Sequence, residues 1–262
     1  MTDSNIEETG GAFITSTPPA FEDLDDHRRH LRQRLAGACR VFGRAGFSEG
    51  LLGHLTVRDP AHHDQFWANP LGISFNRIKA SDVVLVNHAG DLLEGSRPIN
   101  PVGLRLHSAI HRARPDVSAV CHAHSTFASA WSAYAEPVAP ITQDTCVFYD
   151  DQAIIHTEPR VPMTDAQADV FADAFGDKKV GLQVGHGLFT TGATIDEAAW
   201  WFVGMDKACH IQLLTRAAGP VPLWPADQAL GIRAALGNPT FGWLSYQTLW
   251  DEIIYSDPDL VD

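Results

Sequence analysis

Apolar residues recur at helical spacing through residues 21–45, where Leu24, Leu31, Leu35, Ala38 and Phe42 form one stripe. A stripe of that period predicts an amphipathic helix. The pattern then changes. Residues 46–53 carry Gly46, Gly50 and Gly53 and read as a loop. His54-Leu55-Thr56-Val57-Arg58 alternates polar with apolar, the two-residue period of a strand, until Asp59-Pro60 stops it. Short strands are expected at 65–68 and 83–86, with Ala89-Gly90-Asp91 turning a hairpin into Leu92-Leu93-Glu94. Asn100-Pro101 supplies an N-cap and a first-turn proline for a helix ending near Arg112, before Pro115. Residues 117–121 read as a buried strand, 126–134 as a helix, and 145–148 and 153–155 as strands. Thr164 with Gln167, and Thr194 with Glu197, are capping boxes that open helices to about 175 and 218. Strands at 180–184 and 188–191 lie between them. Residues 220–262, with Trp224, Trp243 and Trp250, read as short helices or a strap.

No repeat or linker divides this pattern. It predicts a polar, flexible arm at residues 1–20, a single domain at 21–220, and an extension at 221–262 packed on that domain. The 262 residues suffice for one α/β domain with a sizeable core, and 45% are apolar. A net charge of −13 disfavours nucleic acid and anionic lipid as partners. The basic cluster from His27 to Arg32 sits on a helical pattern and reads as a solvated face. Residues 1–20 lack the basic-then-apolar order of a secretion signal, and no apolar run approaches the ~20 residues that span a bilayer. Cys39, Cys121, Cys146 and Cys209 form no C-x-x-C pair. They are expected as reduced thiols in a cytoplasmic protein.

The chemistry is carried by histidines. His122-Ala123-His124 follows an apolar strand, and residues two apart on a strand share a face. Two imidazoles at its carboxyl end could hold one ion. His186, between Gly185 and Gly187, also follows an apolar strand. Three imidazoles leave a coordination position open, as catalytic sites do. An isolated H-x-H is common by chance, and His27, His30, His62, His63 and His111 fall in polar or helix-surface contexts that predict plain solvation.

Three motifs in order change the weight of that reading. Arg114-Pro115-Asp116-Val117 followed by Val120-Cys121-His122-Ala123-His124-Ser125 resembles the RPDV…VxHxHT stretch of the class II aldolase/adducin family. Gly185-His186-Gly187-Leu188, then Gly192 and Glu197-Ala198, resembles that family's NHG…G…EA segment. Residues 46–58 resemble its glycine-rich opening. The resemblance runs from about residue 30 to 215. It implies an α/β fold, three layers α/β/α around a central, largely antiparallel sheet. It also implies one divalent metal ion, usually zinc with Fe, Mn or Co as alternatives, on His122, His124 and His186. A small-molecule substrate and a homotetramer with sites between subunits are implied as well.

The chain departs from the sugar-phosphate enzymes of that family at several points. Their acid/base glutamate falls on Gly103, four residues before the helix histidine His107. Their P-S-S-E-like segment corresponds to Pro98-Ile99-Asn100-Pro101-Val102-Gly103, and their paired serines are missing. Their GNxS is Gly53-His54-Leu55-Thr56, and their T-x-x-G phosphate loop is Asn69-Pro70-Leu71-Gly72. A phosphate dianion needs several converging donors, so these losses argue for a non-phosphorylated substrate. Gly53, Thr56, Asn69, Gly72 and Asn100 are then the candidate substrate-binding residues. His54 is the candidate catalytic base, with Gln143 and Asp144 standing where a neighbouring subunit's tyrosine is expected. The first reading is a lyase or decarboxylase acting on a hydroxycarbonyl or keto acid through a metal-stabilised enediolate. The alternatives are an Fe(II) oxygenase with an aromatic lining suggested by Phe66, Trp67 and Phe148, and an adducin-like binding protein without activity.

Overall fold

The computed structural model describes residues 17–158 and 161–262. The arm expected at 1–20 therefore falls, up to residue 16, outside the described residues. In chain order the elements are α1 (Leu24–Arg44), β1 (His54–Arg58), β2 (Gln65–Ala68), β3 (Val84–Asn87), β4 (Leu92–Glu94), α2 (Pro101–Ala113), β5 (Ala119–Ala123), α3 (Thr126–Ser132), α4 (Gln143–Cys146), β6 (Gln152–Ile155), α5 (Asp165–Phe175), β7 (Val180–Gln183), β8 (Gly187–Gly192), α6 (Ile195–Ala218), α7 (Ala226–Leu236) and α8 (Pro239–Ser256). The capping residues expected from the sequence start their helices. Asn100 accepts from the amides of Val102 and Gly103, Thr164 from Gln167 and Thr194 from Glu197.

The eight strands form one sheet in the order β4-β3-β2-β1-β5-β8-β7-β6. Every pairing is antiparallel except β6 with β7. Helices cover both faces, so the three-layer architecture holds. On one face Leu35, Ala38 and Phe42 of α1, Trp201, Phe202 and Met205 of α6, and Tyr246 and Ile253 of α8 form the main core. On the other, Ile110 of α2 and Phe171 and Phe175 of α5 pack against Val120 and Phe189. The two-residue period of β5 divides its side chains between these layers. Ala119, Cys121 and Ala123 face the main core, and Val120 faces α2 and α5. The same period in β1 sends Leu55 and Val57 to the main core. His54, Thr56 and Arg58 go to the α2 side.

The strand expected at 145–148 is instead the helical turn α4. Thr142 caps it by accepting from the Thr145 amide, and the Thr145 hydroxyl bonds back to Thr142. Such local side-chain bonds favour a turn over a ladder. Phe66, Trp67 and Phe148, considered as an aromatic pocket lining, are core residues with at most 2% of their surface exposed. All four cysteines are buried and unpaired. No helix among the described residues is long and apolar enough to cross a membrane.

Candidate metal centre

His122 lies near the end of β5, His124 just beyond it, and His186 in the turn joining β7 to β8. That turn needs Gly185, whose φ of 66° lies in the left-handed region. The antiparallel pairing of β5 with β8 sets His122 opposite Phe189, and the two rings stack at 3.9 Å. The three imidazoles form a nearly equilateral triangle, with ring centroids 5.1, 5.0 and 5.0 Å apart. One nitrogen from each lies within 4.8 Å of the others, and no carboxylate among the described residues joins the group.

The donor set fits a divalent transition metal. The Leu188 carbonyl accepts from Nδ1 of His122 at 2.8 Å. A carbonyl can only accept, so Nδ1 carries the hydrogen and Nε2 keeps its lone pair for a metal, the usual outer support of a histidine ligand. Burial, with His54 and His186 alongside, holds His122 well below the ordinary histidine range. Burial also lowers His124, partly offset by the Glu49 carboxylate. These rings are therefore neutral near pH 7, as ligation requires.

Beside the triad runs a buried polar track. His54 pairs with His122 across the β1–β5 ladder, and their rings are 4.9 Å apart. Nδ1 of His54 meets Nε2 of His107 at 2.8 Å, and Nδ1 of His107 meets the Thr56 hydroxyl at 2.8 Å. That hydroxyl also meets Nε2 of His111 at 3.0 Å. Beyond it the Arg58 guanidinium reaches Nδ1 of His111 at 3.3 Å and the carbonyls of His63, His111 and Val117 at 2.6 to 3.0 Å. His107 and His111 are one helical turn apart on α2, facing the alternate residues of β1. His111 is thus 1% exposed rather than solvated as expected. The sequence signal was there, an i, i+4 histidine pair opposite an alternating polar strand. Sequence alone could not tell that the polar side of that strand faces a helix. Of the other histidines expected in solvent, His62 and His63 are exposed. His27 and His30 are partly covered and pack on Phe21, with centroids at 4.8 Å.

Gly103 explains where His54 sits. A Cβ at 103 would lie 2.6 Å from Cγ of His54 and nearer still to Cδ2 and Nε2. The imidazole therefore fills the space where a side chain at 103 would begin. A side chain at 103 and the imidazole of His54 in this position exclude each other.

Gly53, His54, Asn69, Gly72 and Asn100 line one small cavity of about 20 Å³ with Ser48, Leu51, Leu52, Leu71, Ile73 and Phe75. Five of the residues expected around the substrate thus come together. Thr56 lies behind this wall, in the polar track. The Asn69 side chain accepts from the Leu55 amide at 2.7 Å, and Asn100 caps α2. Gln143 and Asp144 are exposed on α4, with Asp144 3.2 Å from Lys207, outside the group of ligand atoms around the histidines. A larger cavity of about 320 Å³ opens at the far end of β1, between His27, Asp59 and Trp243, away from the triad.

This geometry agrees with what the chain is similar to. Residues 33–213 match the family described as Class II Aldolase and Adducin N-terminal domain. The chain is 40% identical over 245 residues to the decarboxylase NovR of Streptomyces niveus, covering 93% of this chain and 91% of that one. It is also 40% identical to a 4-hydroxy-3-prenylphenylpyruvate oxygenase/4-hydroxy-3-prenylbenzoate synthase of Streptomyces roseochromogenus subsp. oscitans, covering 93% and 88%. Among solved structures, an L-fuculose 1-phosphate aldolase from Glaciozyma antarctica PI12 superposes with a TM-score of 0.88 at 37% identity, covering 94% and 96%. With its sheet, histidine triangle and motif order in agreement, the chain belongs to the class II aldolase/adducin family.

Proposed function

We propose that this protein is a divalent-metal-dependent lyase that breaks the bond between the α and β carbons of a carbonyl in a non-phosphorylated keto acid or hydroxycarbonyl compound, releasing an aldehyde, or CO2 where the β carbon is a carboxylate. The observation that carries the reading is the triangle of His122, His124 and His186, with the tautomer of His122 fixed by the Leu188 carbonyl. A bound divalent ion would supply Lewis-acid stabilisation of the enolate, or for a hydroxycarbonyl compound the enediolate, left when that bond breaks. His54 stands beside the triad, held through His107 and keeping an edge toward the cavity. Its role is to exchange a hydrogen bond or proton with the reacting oxygen.

The rim residues support this substrate class. Leu51, Leu52, Pro70, Leu71 and Ile73 border the cavity, and no lysine or arginine lines it. Ser48 is there, but its hydroxyl is engaged by the Phe75 amide and by Ser74. A phosphate would find no positive charge there, whereas an apolar or aromatic keto acid would bury its side chain against the leucines. The names of the two Streptomyces relatives, a decarboxylase and a phenylpyruvate oxygenase, support that choice over the sugar phosphate named for the structural neighbour.

Zinc is the first candidate ion, with iron, manganese or cobalt as alternatives. The cavity is too small to hold such a substrate within one chain, which favours a homotetramer completing the site, with Gln143 and Asp144 available to a neighbour. A cytoplasmic setting is part of the same reading. A second reading, an Fe(II) oxygenase, is favoured by three imidazoles with no carboxylate among the described residues, together with the second relative's name.

The test is metal analysis of the purified protein followed by turnover of 3-keto acids, 4-hydroxy-2-keto acids and hydroxyketones, with and without oxygen. Anaerobic CO2 or aldehyde release supports the lyase. Turnover that requires iron and consumes oxygen supports the oxygenase. No metal bound, or no turnover with any of the four ions, overturns both.

A further inference from the structure

The polar track has a direction, and that direction assigns His54 a role different from a base. Each contact along it needs one donor and one acceptor. A guanidinium can only donate, and Arg58 Nη2 faces Nδ1 of His111 at 3.3 Å beside the carbonyls of His111, Val117 and Arg114 at 2.8, 3.0 and 3.3 Å; with Nδ1 of His111 accepting, the track has one direction. A neutral His111 then carries its hydrogen on Nε2 and donates to Thr56. The Thr56 hydroxyl passes its own hydrogen to Nδ1 of His107. His107 is left with Nε2–H, which donates to Nδ1 of His54. The remaining hydrogen of His54 is therefore on Nε2, the nitrogen beside Gly103 where a glutamate side chain would start.

The opposite direction requires Nδ1–H of His111 to point at the guanidinium. The Val117 carbonyl near that nitrogen would favour it. That oxygen already accepts from Nε and Nη2 of Arg58, at 3.3 and 3.0 Å. No carboxylate hydrogen-bonds His107 or His111 to hold a second proton there.

We propose that Arg58, acting through His111, Thr56 and His107, sets His54 as an Nε2–H hydrogen-bond donor to the substrate oxygen that gains negative charge, so that His54 is neither the base nor a fourth metal ligand. Arg58, His111, Thr56 and His107 are positioning residues. A neutral imidazole used as an electrophile opposite a developing oxyanion is an established catalytic device, and it needs no proton to leave the ring. The substrate half of this inference rests on the lyase reading, while the tautomer half does not.

The experiment is two-bond 1H–15N correlation on metal-free protein labelled with 15N-histidine, with His54, His107 and His111 assigned by single substitution to Gln. The expected result is the Nε2–H tautomer at all three rings. Nδ1–H at His54, or an imidazolium there at pH 7.5, overturns the proposal. Thr56→Val breaks the chain at its centre and is expected to change the His107 and His54 signals while leaving His111 as Nε2–H. An unchanged His54 signal in that variant also counts against the relay. For turnover, loss of a single oxyanion donor costs roughly 10²–10³-fold in kcat. His54→Ala should show that loss, and His54→Gln, which retains an N–H, should recover at least about tenfold of it. His54→Glu, which offers a base, should not recover, and rescue by Glu but not Gln would overturn the donor role. If the tautomers are as expected and no substrate turns over, the lyase reading fails and the tautomer inference stands.

Discussion

A methyl group at position 103 measures how tightly His54 is held. In Gly103→Ala the new Cβ would stand 2.6 Å from Cγ of His54, closer than real Cβ atoms approach a neighbour. The ring cannot swing away freely, because Nδ1 is bonded to His107 and one side lies against His122. Overpacking of this kind costs roughly 1–3 kcal/mol. Displacing the ring forfeits a hydrogen bond of about 1 kcal/mol. Alanine returns about 0.5–1 kcal/mol over glycine within a helix. The net loss is about 1–3 kcal/mol. In a His54→Ala background the clash is gone, and the same substitution should stabilise by about 0.5–1 kcal/mol. The two sites should therefore couple by about 2–4 kcal/mol, where unconnected sites would add. Urea unfolding of the four proteins measures the cycle. A Gly103→Ala effect equal in both backgrounds, or a stabilised single variant, would refute the steric coupling. His54→Asn combined with Gly103→Glu should be tolerated better than Gly103→Glu alone.

Further outcomes are expected. Removing metal with a chelator should lower Tm, since an ion at 100 times its Kd stabilises by about 2.7 kcal/mol; His186→Ala should abolish the metal-dependent part of Tm, and an unchanged response would remove His186 from the ligand set. Acid should weaken the fold from about pH 6.5 downward. Burial holds His107, His111 and His122 well below the ordinary range, so only the unfolded chain takes up their protons, and each costs about 1.4 kcal/mol per pH unit. Above pH 6.5 they contribute no slope, and the raised carboxyls of Asp196, Glu197 and Asp206 act in the opposite sense nearer their own titration. Urea midpoints at pH 7.5, 6.5 and 5.5 test this, and a flat profile contradicts buried neutral rings. The buried pair Arg34–Asp196 joins α1 to the start of α6 at 2.6 Å. Asp196→Ala leaves the guanidinium uncompensated and should cost about 3–5 kcal/mol, which an unchanged urea midpoint would disprove.

The sequence by itself determined most of the elements, because period, caps and turn residues are local properties. Asn100, Thr164 and Thr194 open their helices as the capping rules require. His122, His124 and His186 were legible as candidate ligands because motif order carried them, although the first and last are 64 residues apart (186 − 122). The turn at 142–146 was not legible as helix, since the Thr142–Thr145 side-chain bonds that win there compete with an apolar run that reads as strand. Only the tertiary structure decided what the polar side of β1 faces. Alternation in His54-Leu55-Thr56-Val57-Arg58 is the same whether that side meets water or α2. Packing α2 against the sheet buried His111, expected in solvent, and joined it with His107, Thr56 and Arg58 in a chain behind His54. It also set Gly103 against the ring of His54, because steric complementarity between distant positions exists only once the chain has folded.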